Sequence, residues 1–149
     1  MKKFSFRLEP VLKYKSDMLE ILKNDHADSV KKVTEQNSVI ERLKKEEQVS
    51  VSNFDSKKTA GITIAEAELY EKYLIRQNQL IKEETAKLNQ LKKIEAEKRD
   101  KMVEAKKEML SIEKLKDIKI NEYRKEEQKE NELFIEEFIS SRKFKIEKL

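Results

Sequence analysis

One spacing constrains this chain more than any other feature: large side chains recur every seven residues over two long stretches. The first series consists of Leu12, Leu19, His26, Val33, Ile40, Glu47 and Phe54. The second series consists of Leu74, Ile81, Leu88, Glu95, Met102, Met109, Lys116 and Tyr123. A seven-residue repeat keeps one narrow stripe of a helix facing a partner helix, as a left-handed coiled coil requires. The sequence therefore predicts two coiled-coil helices and no globular core.

A break between the two series predicts how the helices are connected. The only glycine, Gly61, lies there, and glycine commonly ends a helix because it adopts a positive φ without strain. Thr63 and Glu66 then fit a capping box, in which each side chain accepts a hydrogen bond from the backbone of the other residue. We predict an all-α fold, an antiparallel two-helix coiled-coil hairpin with a longer second helix. Its predicted bounds are about 8–59 for helix one, 60–63 for the hinge and about 64–140 for helix two.

Composition supports a single elongated domain over residues 1–149. Charged residues make up 43% of the chain and hydrophobic residues 37%, a ratio that favours apolar stripes over a compact core. The net charge is +4, with both signs mixed along the chain, whereas a nucleic-acid reader would gather basic residues on one stripe. We expect no binding of nucleic acid. No apolar run approaches the length that spans a bilayer, so any membrane contact is expected through partners.

The hairpin predicts an unpaired end on helix two. Folding about Gly61 pairs residues whose numbers sum to roughly 121, such as Val51 with Tyr70, so helix one runs out near residue 118. Beyond that point, four large apolar residues fall on one side of a lone helix. We call them the C-terminal ridge: Phe134, Ile135, Phe138 and Ile139. The ridge binds a partner, packs on the N-terminal Phe4, Phe6 and Leu8, or dimerises; a membrane-surface helix is the weaker alternative because of nearby acidic side chains.

Other candidate sites are weaker. His26 is the only histidine, and we interpret it as a residue that tunes the helix contact, since a metal or catalytic role needs convergent partners. Asn37 and Gln77 are expected to set the register of the two helices. Tyr70 and Tyr73 either close the hairpin tip or form a docking patch. The chain has no cysteine and no phosphate-binding loop, so we predict no enzyme activity, no cofactor and no metal.

Four segments together resemble the FliJ family of flagellar export proteins. They are residues 4–12 (FSFRLEPVL), 70–74 (YEKYL), 115–119 (LKDIK) and 136–142 (EEFISSR). Their order and spacing match the family over essentially the whole chain. The family pattern usually has an Asp-Glu pair where this chain has Glu136 and Glu137.

The resemblance implies a cytoplasmic component of the flagellar type III export apparatus, peripherally associated with the inner face of the cell membrane at the flagellar base. Such proteins are similar to the gamma subunit of rotary ATP synthases. The implied partners are the hexameric ring of the export ATPase FliI, the export gate FlhA and flagellar substrate chaperones. The expected gate contact comprises Tyr70, Tyr73, Leu74 and Gln77. The expected contact with the ATPase ring comprises Phe6, Arg7, Leu8, Phe134, Glu137, Phe138 and Arg142.

Two alternatives share the same physical features. The stalk protein of a virulence type III secretion injectisome would have the same helices and charges. A purely structural coiled coil that works as a homodimer would have the same seven-residue repeat.

Overall fold

The computed structural model describes residues 2–147, which form two α-helices. Helix α1 spans Glu9–Ala60 and α2 spans Ile64–Glu147, and no strand occurs within the described range. The two helices pack against each other, and α2 is the longer, with 84 residues against 52. The predicted hairpin is therefore confirmed. Its second helix continues to Glu147, the last described residue and past the predicted end near residue 140, and no proline or glycine interrupts it.

The turn between the helices has the predicted chemistry. Gly61 has a φ of 96°, and its N–H donates to the Lys57 carbonyl over 2.9 Å, which satisfies one of the last carbonyls of α1. At the start of α2 the Glu66 N–H donates to Thr63 Oγ1 over 3.2 Å. That bond is the first half of the capping box, and the return bond to the Glu66 carboxylate stays a prediction.

The chain divides into two compact units. The first comprises the described residues of Met1–Glu20 and Glu104–Leu149, and the second comprises Ile21–Val103. In both units every residue of the two seven-residue series is buried or half-buried. The repeat therefore identified the packed faces of both helices. The single elongated domain stays a prediction.

Contacts between the helices show antiparallel pairing in each unit. In the second unit His26 pairs with Glu95, and Phe54 stacks on Tyr70 with ring centroids 5.1 Å apart. In the first unit Lys15 pairs with Glu108 over 2.8 Å. Near the turn the predicted partner of Tyr70, Val51, is 40% exposed, while Phe54 is 5% exposed. Phe54 takes the buried place because its ring lies flat against that of Tyr70.

One predicted register residue is wrong. Asn37 is exposed, since it lies one position away from the packed face of α1. Its neighbour Gln36 points toward α2 instead, and its Nε2 donates to the Glu84 carbonyl over 2.9 Å and to the Glu84 carboxylate over 2.5 Å. The Gln36 amide therefore holds the pKa of Glu84 below its ordinary value, against the opposing effect of desolvation. The second predicted residue, Gln77, is buried as expected.

Candidate binding surfaces

The described residues offer surfaces and grooves, not a catalytic cleft. No group of three potential metal ligands occurs among residues 2–147. None of the helices in this range has the length and apolarity that crossing a bilayer requires. The candidate functional residues are exposed apolar side chains and their charged neighbours.

The N-terminal segment, residues 2–8, lies beside α2. The Phe4 ring meets the Tyr123 ring edge-on at a centroid distance of 5.5 Å, and the Tyr123 hydroxyl donates to the Lys2 carbonyl over 2.5 Å. The segment and the part of α2 from Leu115 to Glu126 together line a groove of about 720 Å³. Three residues expected to contact the ATPase ring lie in this segment: Phe6 and Leu8 are half-buried, and Arg7 is exposed. The segment thus presents three cations, Lys2, Lys3 and Arg7, and half-buries its large apolar side chains.

The start of α1 fixes this segment. The Glu9 N–H donates to the Phe6 carbonyl over 3.1 Å, and the Leu12 N–H donates to the Leu8 carbonyl over 2.9 Å. The Glu9 carboxylate also pairs with Lys116 on α2 at 2.8 Å. Because these contacts hold the segment beside Tyr123, it does not cover the C-terminal ridge.

The C-terminal ridge is exposed to solvent. Phe134 is 69% exposed, Ile135 54%, Phe138 56% and Ile139 49%. The ridge lies on the unbroken helix α2, so it has not folded back on the N-terminal segment, as one alternative required. Glu137 and Arg142, which are also expected to contact the ATPase ring, are exposed beside it. This surface has the exposed aromatic groups that anchor many protein interfaces.

Charge changes sign along this open part of α2. Residues 119–137 contain seven acidic and four basic side chains, whereas residues 140–147 contain three basic side chains and one acidic. The Arg142 guanidinium lies 5.7 Å from the centroid of the Phe138 ring, one turn away on the same face. The ridge is thus bordered by an acidic region on one side and a basic region on the other.

The predicted gate-contact residues do not share one exposure. Tyr70 and Leu74 are half-buried and Gln77 is 8% exposed, so these three face α1. Tyr73 alone is open, at 52%, and its hydroxyl accepts a hydrogen bond from Gln77 Nε2 over 3.1 Å. The Gln77 Oε1 atom is buried and has no hydrogen-bond partner within the described residues.

Tyr73 belongs to a groove that sequence reasoning missed. The groove has a volume of about 520 Å³, and its other wall is formed by α1 between Ser38 and Ser50. Val49, within that wall, is 59% exposed, and Leu69, one turn before Tyr73, is 68% exposed. A usable signal was present: Leu69 and Val49 are large apolar residues outside the two seven-residue series, so the helix pairing does not account for them.

A polar contact between the helices was also missed. His26 Nε2 lies 2.8 Å from Glu95 Oε1, and Arg99 approaches the other carboxylate oxygen at 3.0 Å. The contact with His26 lowers the pKa of Glu95, Arg99 lowers it further, and desolvation opposes both. The predicted register does place residue 26 opposite residue 95, so the pair was within reach of the sequence. It agrees with a role of His26 in tuning the helix contact.

Fold and surfaces together define the class of protein: a two-helix hairpin with exposed apolar faces. The family model described as flagellar FliJ protein matches residues 4–147, and the chain therefore belongs to this family. It is a component of the flagellar export apparatus. Neither a curated protein nor a solved structure matches the chain.

Proposed function

We propose that this chain is a gamma-subunit-like stalk of the flagellar export ATPase. It binds the FliI ring, promotes assembly of that ring, and links the ring to the export gate FlhA and to substrate chaperones. The observation that carries this proposal is the C-terminal ridge, where four adjacent apolar residues are 49–69% exposed on a helix that continues past its intramolecular partners. Exposed apolar surface of this kind favours binding to another protein.

The ridge suits insertion between the subunits of a ring. A lone helix is about 10 Å wide with its side chains, so it fits a narrow opening that a whole domain would not enter. Phe134 and Phe138 supply apolar anchors, while Glu137 and Arg142 supply charges at the edge of the contact. Arg7, exposed on the N-terminal segment, adds a second cation to the same contact, with Phe6 and Leu8 holding the segment in place.

The groove at Tyr73 suits a second, separate contact with the gate. Tyr73 presents its ring to solvent, and Gln77 orients its hydroxyl. Tyr70 and Leu74 support this surface from below through their packing on α1, of which the Phe54 stack is the clearest part. Two contacts in different parts of the chain would allow one molecule to bind two partners at the same time.

The remaining parts of the proposal follow from the partners. ATP hydrolysis belongs to FliI in this proposal, which assigns no nucleotide site to the described residues of this chain. The chain reaches the inner face of the cell membrane at the flagellar base through FlhA. Its mixed surface charge suits contacts that form and break repeatedly, because exposed ion pairs contribute little to affinity. The family match favours this flagellar role over the injectisome stalk. The intramolecular pairing of α1 with α2 disfavours the extended homodimer.

ATP hydrolysis by the cognate FliI tests the proposal. It is measured over a range of FliI concentrations with the wild type, with Phe134→Ala/Phe138→Ala, and with Tyr73→Ala. The wild type stimulates hydrolysis most where the ring is partly assembled. The double ridge variant loses at least about tenfold in affinity for FliI, as expected for two aromatic anchors. Equal stimulation by the wild type and the ridge variant would contradict the assignment.

The Tyr73→Ala variant is the matched control for the two contacts. It retains stimulation of FliI and loses affinity for the cytoplasmic part of FlhA, whereas the ridge variant shows the reverse. Circular dichroism of all three proteins checks that the helices remain intact. Loss of both activities in both variants would show that the two surfaces are not separate.

A further inference from the structure

We propose that the C-terminal ridge also binds a second copy of this chain, in an antiparallel dimer of the α2 ends. This inference goes beyond the stalk function and does not depend on it. Its basis is an exposed apolar stripe that is complementary to itself when reversed, bordered by regions of opposite charge.

The apolar side chains of the ridge have the same spacing whether α2 is followed from its N-terminal or from its C-terminal end. Phe134 and Phe138 are one turn apart along one edge, and Ile135 and Ile139 are one turn apart along the other. A two-fold axis between residues 136 and 137 therefore superposes the aromatic edge on itself and the aliphatic edge on itself. Such self-complementarity is what an isologous two-fold interface requires.

The flanking charges favour the antiparallel arrangement. The same axis brings Lys143 of one copy beside Glu132 of the other, and Lys145 beside Glu127. These four side chains are all exposed in the single chain. A parallel pair in register would instead place each of these charges next to its own equivalent, where like charges repel. Direction is therefore set by charge, while the ridge supplies the apolar contact.

Two further acids do not oppose this pairing. A helix turns by about 100° per residue, so Glu136 and Glu137 lie beyond the two edges of the ridge, outside the stripe that meets the second copy. Asn131 and Arg142 lie on the ridge side, and the two-fold axis sets them opposite each other. Arg142 already covers one face of Phe138, and its donors remain free to reach the Asn131 side-chain oxygen of the second copy.

Dimerisation would cover the apolar ridge while the protein is free of other partners. The ridge cannot lie against a second copy and against another partner at once, so any partner that uses the ridge competes with the dimer. The contact spans about 20 residues of each helix, of which only those on the ridge side meet the second copy, so it is smaller than a standard interface with its roughly 20–30 residues a side. We therefore expect a weak dimer with a Kd on the order of 10 μM, which dissociates readily.

Sedimentation velocity of the full chain at concentrations on either side of that Kd tests the proposal. The wild type shifts from monomer to dimer, and Phe134→Ala/Phe138→Ala weakens dimerisation at least about tenfold. The matched control is Leu69→Ala, which removes an equally exposed apolar side chain from another part of the chain and leaves the Kd unchanged. A wild type that remains monomeric, or a ridge variant that dimerises as well as the wild type, would overturn the proposal.

A charge exchange tests the direction of the helices. Lys143→Glu/Lys145→Glu weakens dimerisation, because acidic side chains then face Glu127 and Glu132. Adding Glu127→Lys and Glu132→Lys to the same chain restores it, because each pair regains opposite charges. A parallel dimer would show neither the loss nor the recovery, and that result would overturn the antiparallel arrangement. Both experiments use the chain alone, so failure of the stalk function would not affect them.

Discussion

Two stretches of α2 show how differently similar residues behave in one helix. In the paired stretch Ile81 is 9% exposed and Leu88 is 7% exposed. In the terminal stretch Phe134 and Phe138 are 69% and 56% exposed. Both stretches place large apolar residues on one side of the helix, and only the first has α1 against it. Apolar spacing thus selects a face of a helix, but a packing partner decides whether that face is core or binding surface.

The largest expected effect is a difference in the free energy of unfolding when a phenylalanine is replaced by alanine in each of the two stretches. Phe54→Ala removes a 5% exposed ring that stacks on Tyr70, so we expect a loss of about 3 kcal/mol in the free energy of unfolding. Phe138→Ala removes a ring that is already in solvent and changes that free energy by less than about 0.5 kcal/mol. Urea unfolding followed by circular dichroism, at concentrations well below the Kd of the proposed dimer, measures both. Similar losses for the two variants would mean that the ridge is covered in the free protein.

A smaller effect is expected at the turn that brings the paired stretch together. Gly61→Ala meets no atom within 4 Å, but the φ of 96° strains any residue with a Cβ, so we expect a loss of about 1 kcal/mol in the free energy of unfolding. The same measurement on Ser52→Ala, an exposed site within α1, gives the control and should change by less than about 0.5 kcal/mol. A neutral Gly61→Ala would show that the turn tolerates a different backbone conformation.

The smallest expected effect is on the stability of the paired stretch at low pH. The pKa of Glu95 is lowered from 4.5 in the folded chain, mainly by its contact with His26. The contribution of Glu95 to stability is therefore complete above pH 4.5 and is lost as the pH falls through the lowered folded value. Glu95→Gln removes this contribution, so the variant is less stable than the wild type above pH 4.5 and approaches it as the pH falls through the lowered pKa of folded Glu95.

Thermal unfolding between pH 2 and pH 7 measures this dependence. The control is Glu97→Gln, a neighbouring and exposed glutamate, for which the curve should follow that of the wild type. An unchanged pH dependence in Glu95→Gln would show that the contact with His26 does not persist in solution.

Much of the fold was predictable because few choices compete. The seven-residue series identified buried and half-buried positions in both helices, and Gly61 with Thr63 located the turn. The pair of His26 and Glu95 follows from the same register, which sets residue 26 opposite residue 95. The place of Gln36 was not predicted, since Asn37 beside it has similar chemistry and only the phase of the helix distinguishes them.

The candidate surfaces were less predictable than the fold. The four proposed gate residues were assigned by their position beside the turn, and the structure leaves only Tyr73 exposed among them. Burial of Tyr70 depends on the exact stagger of α1 against α2, which brought Phe54 and not Val51 to its ring. A stagger of one helical turn alters which side chains are exposed without altering the seven-residue spacing, so sequence alone did not settle it.

The sequence by itself determined that this chain forms two long helices, where the chain turns, and which face of each helix packs. Those properties depend on local backbone conformation and on the spacing of apolar residues, and both are determined by residues that are close together in the sequence. The tertiary structure decided that Gln36 and His26 reach across to α2, that the N-terminal segment packs on Tyr123, and that the C-terminal ridge is left open. These depend on contacts between residues distant in sequence, because burial of a side chain is set by what lies against it.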